Sequence, residues 1–172
     1  MYYKDTKTAL LCIFSIRGEF YSSMPWMFED EHRRMVGDGL TIEERLTADG
    51  LMLSILRKSL TEFQFNVLKF CYTHYERQNS KNLYESWQVL SPVIKNSSRI
   101  ARRISKDILF SWTFDKNNKT GHKIGNYNIP KMLNVNESTV YRGLTVPVKN
   151  VLNVASIEDL ASQMINSKKW YI

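Results

Sequence analysis

The stretch Y-N-I-P-K-M-L-N-V-N-E-S-T-V-Y-R-G-L, from Tyr127 to Leu144, predicts two short helices joined by a turn. The positions that face inward from the first helix, the turn and the second helix are apolar: Ile129, Met132, Leu133, Val135, Val140 and Leu144. The positions left on the outside are polar: Asn136, Glu137, Ser138, Thr139, Tyr141 and Arg142. Because a surface helix buries its apolar side, this spacing predicts a packed helix pair with a polar outer surface.

The pattern resembles the helix-turn-helix superfamily of bacterial and phage regulators, whose second helix enters the major groove of DNA. The residues that match the superfamily pattern are Ile129, Leu133, Val135, Val140 and Arg142. The resemblance is confined to a short part of the 172 residues, so it indicates a module and not a named protein.

Two positions depart from that pattern. Pro130 replaces a small residue, and a proline is tolerated only in the first turn of a helix, which makes Asn128 the expected N-cap. Asn134 replaces the glycine of the turn, a mild change because asparagine adopts the left-handed conformation more readily than most residues.

The distribution of charge supports contact with a polyanion. Residues 1–66 carry 8 Lys/Arg and 10 Asp/Glu, a net charge of −2, whereas residues 67–172 carry 16 and 7, a net charge of +9. Residues 95–149 alone hold 11 Lys/Arg and 3 Asp/Glu, so the excess surrounds the predicted helix pair. A solvated basic face is the other explanation of the charge alone.

The resemblance and the charge together predict a set of DNA contacts. The residues expected on the recognition helix and its N-terminus are Asn136, Ser138, Thr139, Tyr141 and Arg142. Those expected to hold the DNA backbone are Lys123, Lys131 and Lys149. A basic amphipathic helix over 99–111 either extends this footprint or grips another protein, through Arg99, Arg102, Arg103 and Lys106.

Other helices follow from caps and apolar spacing. Capping boxes at Thr41 and Thr61 predict helices through about Lys58 and Arg77. Further helices are expected over 83–90, ended by Pro92, over 99–111, and over about 156–166, and Pro147 is expected to limit the second helix of the pair. Residues 8–16 form a buried strand or helix, residues 18–40 look irregular, and 115–126 form a mobile or tightly turned loop.

These elements predict a mainly α fold in two parts. Residues 1–94 form a helical body that binds a partner or dimerises, and residues 95–172 form a basic helix-turn-helix domain that binds DNA. Cys12 and Cys71 are the two cysteines of the sequence and lie in apolar surroundings, which argues against a disulfide scaffold and excludes a Cys-based zinc finger. With no apolar run long enough to span a bilayer and no signal-peptide pattern, we expect a cytoplasmic protein without membrane contact.

The sequence therefore predicts a DNA-binding transcription regulator, with double-stranded DNA as partner, no cofactor, no metal site, and a homodimer left open. Spacing around 49–51 and 63–75 is similar to phage late antiterminators of the Q type, which implies RNA polymerase as a second partner. The alternative is a helical adaptor or inhibitor that binds an acidic protein.

No Walker loop, H-E-x-x-H motif, nucleophile elbow or Cys/His metal spacing occurs, so an enzyme is not expected. A metal-dependent nuclease is the remaining catalytic option. Its metal ligands would be sought in the cluster Glu29, Asp30, Glu31 and His32.

Overall fold

A computed structural model describes residues 5–15, 42–73, 75 and 80–167. Helices make up 82% of these residues, and none of them lies in a strand, which confirms the mainly α prediction. The helices are α1 Thr6–Ser15, α2 Ile42–Ser59, α3 Glu62–Tyr72, α4 Ser80–Ser97, α5 Arg99–Arg103, α6 Lys106–Asn117, α7 Ile129–Leu133, α8 Glu137–Val140, α9 Val146–Leu152 and α10 Val154–Ser167, with a π-turn at Tyr141–Thr145 between α8 and α9.

The centre of the core is an aromatic cluster between α3, α4 and α6. The Phe70 ring lies 5.8 Å from Trp87, 5.7 Å from Phe110 and 5.6 Å from Phe114, measured between centroids. Phe110 and Phe114 meet the ring edge-on, an arrangement that aromatic pairs favour. This cluster fixes α6, and therefore the start of the loop that leads to the predicted helix pair.

The last helix packs back against the first ones. The Thr6 hydroxyl of α1 donates a 2.8 Å hydrogen bond to Ser162 of α10. The Tyr72 hydroxyl of α3 donates to Glu158 at 2.6 Å, and burial together with this bond raises the pKa of Tyr72. In addition, α4 continues across the predicted boundary between residues 94 and 95.

Several predicted helix boundaries were wrong. Helix α3 ends at Tyr72 and not near Arg77, because the side-chain amide of Asn118 donates to the carbonyls of Phe70 (3.2 Å) and Thr73 (3.0 Å) and turns the chain out of the helix. The predicted 99–111 helix is two helices, because Ser105 caps α6 by accepting from the Ile108 amide.

Pro92 does not end its helix, contrary to the prediction, but lies inside α4. A proline there cannot donate to the carbonyl of residue i−4, which is Gln88. Both residues are exposed, so water can take the place of the missing donor. The interruption therefore costs the helix less than it would on a buried face.

Two further predictions agree with the structure, and others fall outside the residues that it describes. Residues 8–15 belong to helix α1, one of the two predicted forms, and the Thr61 capping box is present. Within the described ranges no helix is both long and apolar enough to cross a bilayer. The cap at Thr41 and the segment 18–40 lie outside the described residues.

Candidate functional site

The first helix of the predicted pair begins and ends as its sequence indicates. The Asn128 side chain caps α7 by accepting from the Lys131 amide at 3.1 Å, and Pro130 lies in the first turn. Asn134 adopts the left-handed conformation with a φ of 52°, and the Val135 amide donates back to the Pro130 carbonyl at 3.0 Å. The cap and the asparagine turn are thus both confirmed.

The second helix is longer than predicted. Helix α8, the π-turn and α9 follow one another without a gap, so a single helical segment covers residues 137–152. Pro147 lies inside this 137–152 segment, and the prediction that it limits the helix was wrong. The π-turn just before it widens the helix, and the Val146 amide bonds to the Tyr141 carbonyl five residues back.

The 137–152 segment is docked onto the basic helix α5 at Gly143. Pro147 has no amide hydrogen for the Gly143 carbonyl, its partner in a regular helix, and the buried Ser98 hydroxyl donates to that carbonyl instead. The absent side chain of Gly143 also lets Ile100 approach closely, since a Cβ there would lie 2.6 Å from Cδ1 of Ile100. The segment carrying Arg142 and the helix carrying three arginines are therefore direct neighbours.

The outward and inward sides of this segment separate as predicted. The predicted inward residues Val140 and Leu144 are buried, as are Val148 and Leu152 further along the segment. Met132 of α7 was also predicted to face inward, and that was wrong, since it is 51% exposed. The twelve residues predicted to contact DNA are all exposed, namely Asn136, Ser138, Thr139, Tyr141, Arg142, Lys123, Lys131, Lys149, Arg99, Arg102, Arg103 and Lys106. Exposure makes them accessible to a partner, whatever that partner is.

Three of these polar side chains are bonded to one another. The Asn136 Oδ1 atom accepts from the Thr139 amide (2.8 Å), from the Ser138 hydroxyl (2.8 Å) and from the Thr139 hydroxyl (2.6 Å). Asn136 is thus the N-cap of α8. With both hydroxyl hydrogens directed at it, Ser138 and Thr139 present lone pairs, and Asn136 presents its NH₂ group, to the outside.

The arginines of α5 are available to a ligand. Within the described ranges, the predicted contact residues Arg99, Arg102, Arg103 and Arg142 form no ion pair with a carboxylate. The contact at Gly143 places α5, which carries Arg99, Arg102 and Arg103, against the segment that carries Arg142. Lys106, Lys131 and Lys149 are exposed on α6, α7 and α9, outside that contact.

The loop before α7 is tightly held. The Asp115 carboxylate accepts from the Ile124 amide at 2.7 Å and from the Gly125 amide at 3.3 Å, and the Lys123 ammonium donates to the Asp115 carbonyl. The backbone of Lys119 is also bonded to the Cys71 carbonyl at 2.7 Å. Of the two predicted forms, the structure therefore has the turned loop, and Lys123 helps to hold it. The loop is shorter than predicted, because residues 115–117 belong to α6.

The sequence analysis did not predict that Ser98 and Gly143 hold the two helical segments together. An isolated glycine within a helical pattern is a signal for close packing, and Gly143 has that position. Within the described parts of the chain, no group of three or more His, Cys, Asp and Glu could hold a metal ion. The Glu29 to His32 cluster lies outside them.

No protein-family model, curated protein or solved structure matches the chain. What the site can do is therefore inferred from its own geometry and charge.

Proposed function

We propose that this protein is a sequence-specific regulator that binds double-stranded DNA, with the 137–152 segment in the major groove. The observation that carries the proposal is the exposed, polar side of a helix docked directly beside an arginine-rich helix. A groove-reading helix needs polar side chains at base edges and cations near phosphates on either side. The net charge of +9 over residues 67–172 is of the sign that DNA requires.

The hydrogen-bonding state of the site suggests what each residue contacts. The Arg142 guanidinium suits the two acceptors of a guanine edge. The lone pairs of Ser138 and Thr139 suit amino donors of adenine or cytosine, since their hydroxyl hydrogens are engaged by Asn136. Lys131, Lys149 and the three arginines of α5 would contact the phosphates.

A gel-shift titration of two variants tests this assignment. Arg142→Ala should weaken binding to a selected duplex by ~1–3 kcal/mol and reduce the preference for that sequence, because a base contact is lost. Lys131→Ala is the matched control, since it should weaken selected and random duplexes alike and reduce the salt dependence. A negligible effect of both variants, with unchanged thermal unfolding, would overturn the proposal.

The regulatory part of the proposal needs a separate experiment. Run-off transcription from a template that contains the selected site, with and without the protein, should show a change in transcript. In the antiterminator version RNA polymerase is the second partner, and the change is read-through beyond a terminator. An unchanged transcript at saturating protein would leave DNA binding in place but remove regulation.

A second candidate, a helical adaptor for an acidic protein, is favoured by the arginines of α5, which are exposed and form no ion pair with any carboxylate in the part of the chain that the structure describes. It predicts a protein partner that survives nuclease treatment and is lost in the Arg102→Glu, Arg103→Glu double variant. Steep salt dependence of duplex binding, with log Kd linear in log salt, favours DNA instead.

A further inference from the structure

A polar cleft lies between the loop before α7 and the 137–152 segment, on the side of that segment that holds Tyr141. Its volume is about 590 Å³. This lies within the range of about 300–1,000 Å³ that is usual for small-ligand sites. The wall includes the buried residues Trp112, Ile129 and Val140, and the rim includes Lys116 and Lys123.

Two tyrosine rings from different elements line this cleft, Tyr127 from the loop and Tyr141 from the π-turn. Both are exposed, by 38% and 61%. The Tyr127 ring lies over Gly125, where an added Cβ would overlap its Cε2, Cζ and Oη atoms. A glycine is thus needed for this position of the ring, and Asp115 fixes the backbone of that glycine through its amide.

The charges of the lining are balanced. The lining holds Lys116 and Lys123 and the two carboxylates of Asp115 and Glu137; the Lys123 ammonium donates to the Asp115 carbonyl, and the Asp115 carboxylate accepts two backbone amides. An isolated multivalent anion gains little from such a lining, whereas a flat, uncharged ring with hydrogen-bonding edges gains from the tyrosine faces and from the amides and hydroxyls around them. A nucleobase has these properties, and lysines at a rim suit the phosphates on either side of it.

We infer that this cleft binds an unpaired nucleobase of a single-stranded nucleic acid, stacked on Tyr127 and Tyr141 with its flanking phosphates at Lys116 and Lys123. The inference does not depend on duplex reading by the 137–152 segment, although Tyr141 belongs to both surfaces. A base in the cleft contacts residues of α7, α8 and the π-turn, and so the same helix pair would meet paired and unpaired DNA.

Fluorescence anisotropy with a labelled single-stranded DNA oligonucleotide tests the inference. Tyr127→Ala should weaken binding about 5- to 150-fold, the loss usual for one stacked base. Tyr127→Phe, which keeps the stacking face, should bind as the wild type does. Gly125→Ala, which forces the Tyr127 ring away without changing charge, should weaken binding as well.

Tyr84→Ala is the matched control, because Tyr84 is 56% exposed on α4 and does not line the cleft. The wild type should bind an abasic strand more weakly than the intact strand. Tyr127→Ala should bind the abasic and the intact strand with equal affinity. Equal affinity of wild type and Tyr127→Ala for the intact strand would overturn the inference. A mononucleotide that binds as tightly as the strand would overturn the assignment to a strand.

Failure of this inference is distinguishable from failure of the proposed function. Duplex binding should respond to Arg142→Ala and be unaffected by Tyr127→Ala, whereas single-strand binding should respond to Tyr127→Ala. If Arg142→Ala leaves duplex binding unchanged, only the proposed duplex-binding surface is refuted. If Tyr127→Ala leaves single-strand binding unchanged, only the proposed base-binding cleft is refuted.

Discussion

Removal of the Ser98 hydroxyl tests how the 137–152 segment is held on α5. Ser98 is 2% exposed and makes two hydrogen bonds through one oxygen. It accepts from the Ala101 amide at 3.0 Å as the N-cap of α5, and it donates to the Gly143 carbonyl. Ser105 provides a matched control, because it is an exposed serine cap with a single bond of 3.4 Å to the Ile108 amide.

The two serines differ in what their loss should cost. Ser98→Ala removes a cap, worth about 1 kcal/mol. It also leaves the Gly143 carbonyl without its hydroxyl donor, at about 1–3 kcal/mol. Ser105→Ala removes only a cap and should cost about 1 kcal/mol or less. We therefore expect Ser98→Ala to lower the free energy of unfolding by about 2–4 kcal/mol, a fall in Tm of roughly 4–16 °C for a chain of this length.

Urea titrations followed by tryptophan fluorescence measure both variants. The slope of the free energy against urea should be unchanged, so that the midpoints compare directly. If Ser98→Ala and Ser105→Ala lose the same stability, the bond to Gly143 contributes nothing and the docking argument is wrong. A larger loss for Ser98→Ala, together with weaker duplex binding, would connect the docking to the proposed function.

Two further predictions concern the packing at Gly143 and the buried carboxyl group of Asp49. Gly143→Ala should destabilise the protein by about 1–3 kcal/mol through overlap with Ile100, and Ile100→Val, which removes the Cδ1 atom, should recover part of that loss in a double-mutant cycle of denaturation midpoints. Burial raises the pKa of Asp49 to about 7, so the folded state keeps a proton that the unfolded state loses above about pH 4. Wild-type stability should therefore fall from pH 5 to pH 8 relative to Asp49→Asn, and parallel denaturation curves across that range would refute this.

Local signals predicted the helix ends that depend on nearby residues alone. Asn128 caps α7 and Asn134 turns the chain because each interaction closes within three residues. The Thr61 box is equally local, with its partner at Gln64. Such bonds form wherever the sequence places them, so that a sequence is enough to find them.

Features that depend on distant residues were missed. The end of α3 is set by Asn118, which is 45 residues away from Thr73 in sequence. Pro92 is a different case, because the helical spacing of the buried residues Leu83, Trp87, Leu90 and Ile94 marks one side of α4, and Pro92 lies on the opposite, exposed side, where it interrupts the helix without ending it. The cleft likewise depends on how the Tyr127 loop meets the π-turn, and its members are scattered from Trp112 to Thr145.

The error at Pro147 bears on function as well as on structure. A proline that ended the helix would leave Arg142 near the end of a short helix, where fraying would loosen its side chain. The helix continues instead because the π-turn absorbs the proline, Ser98 bonds the freed carbonyl, and Gly143 lets α5 approach. Pro147 therefore weakens the helix, and it also leaves the Gly143 carbonyl free to accept the hydrogen bond from Ser98 that holds the segment on α5. Arg142 and the arginines of α5 consequently lie on two helical segments that are hydrogen-bonded to each other, and Ser98→Ala should shift Arg142 relative to α5.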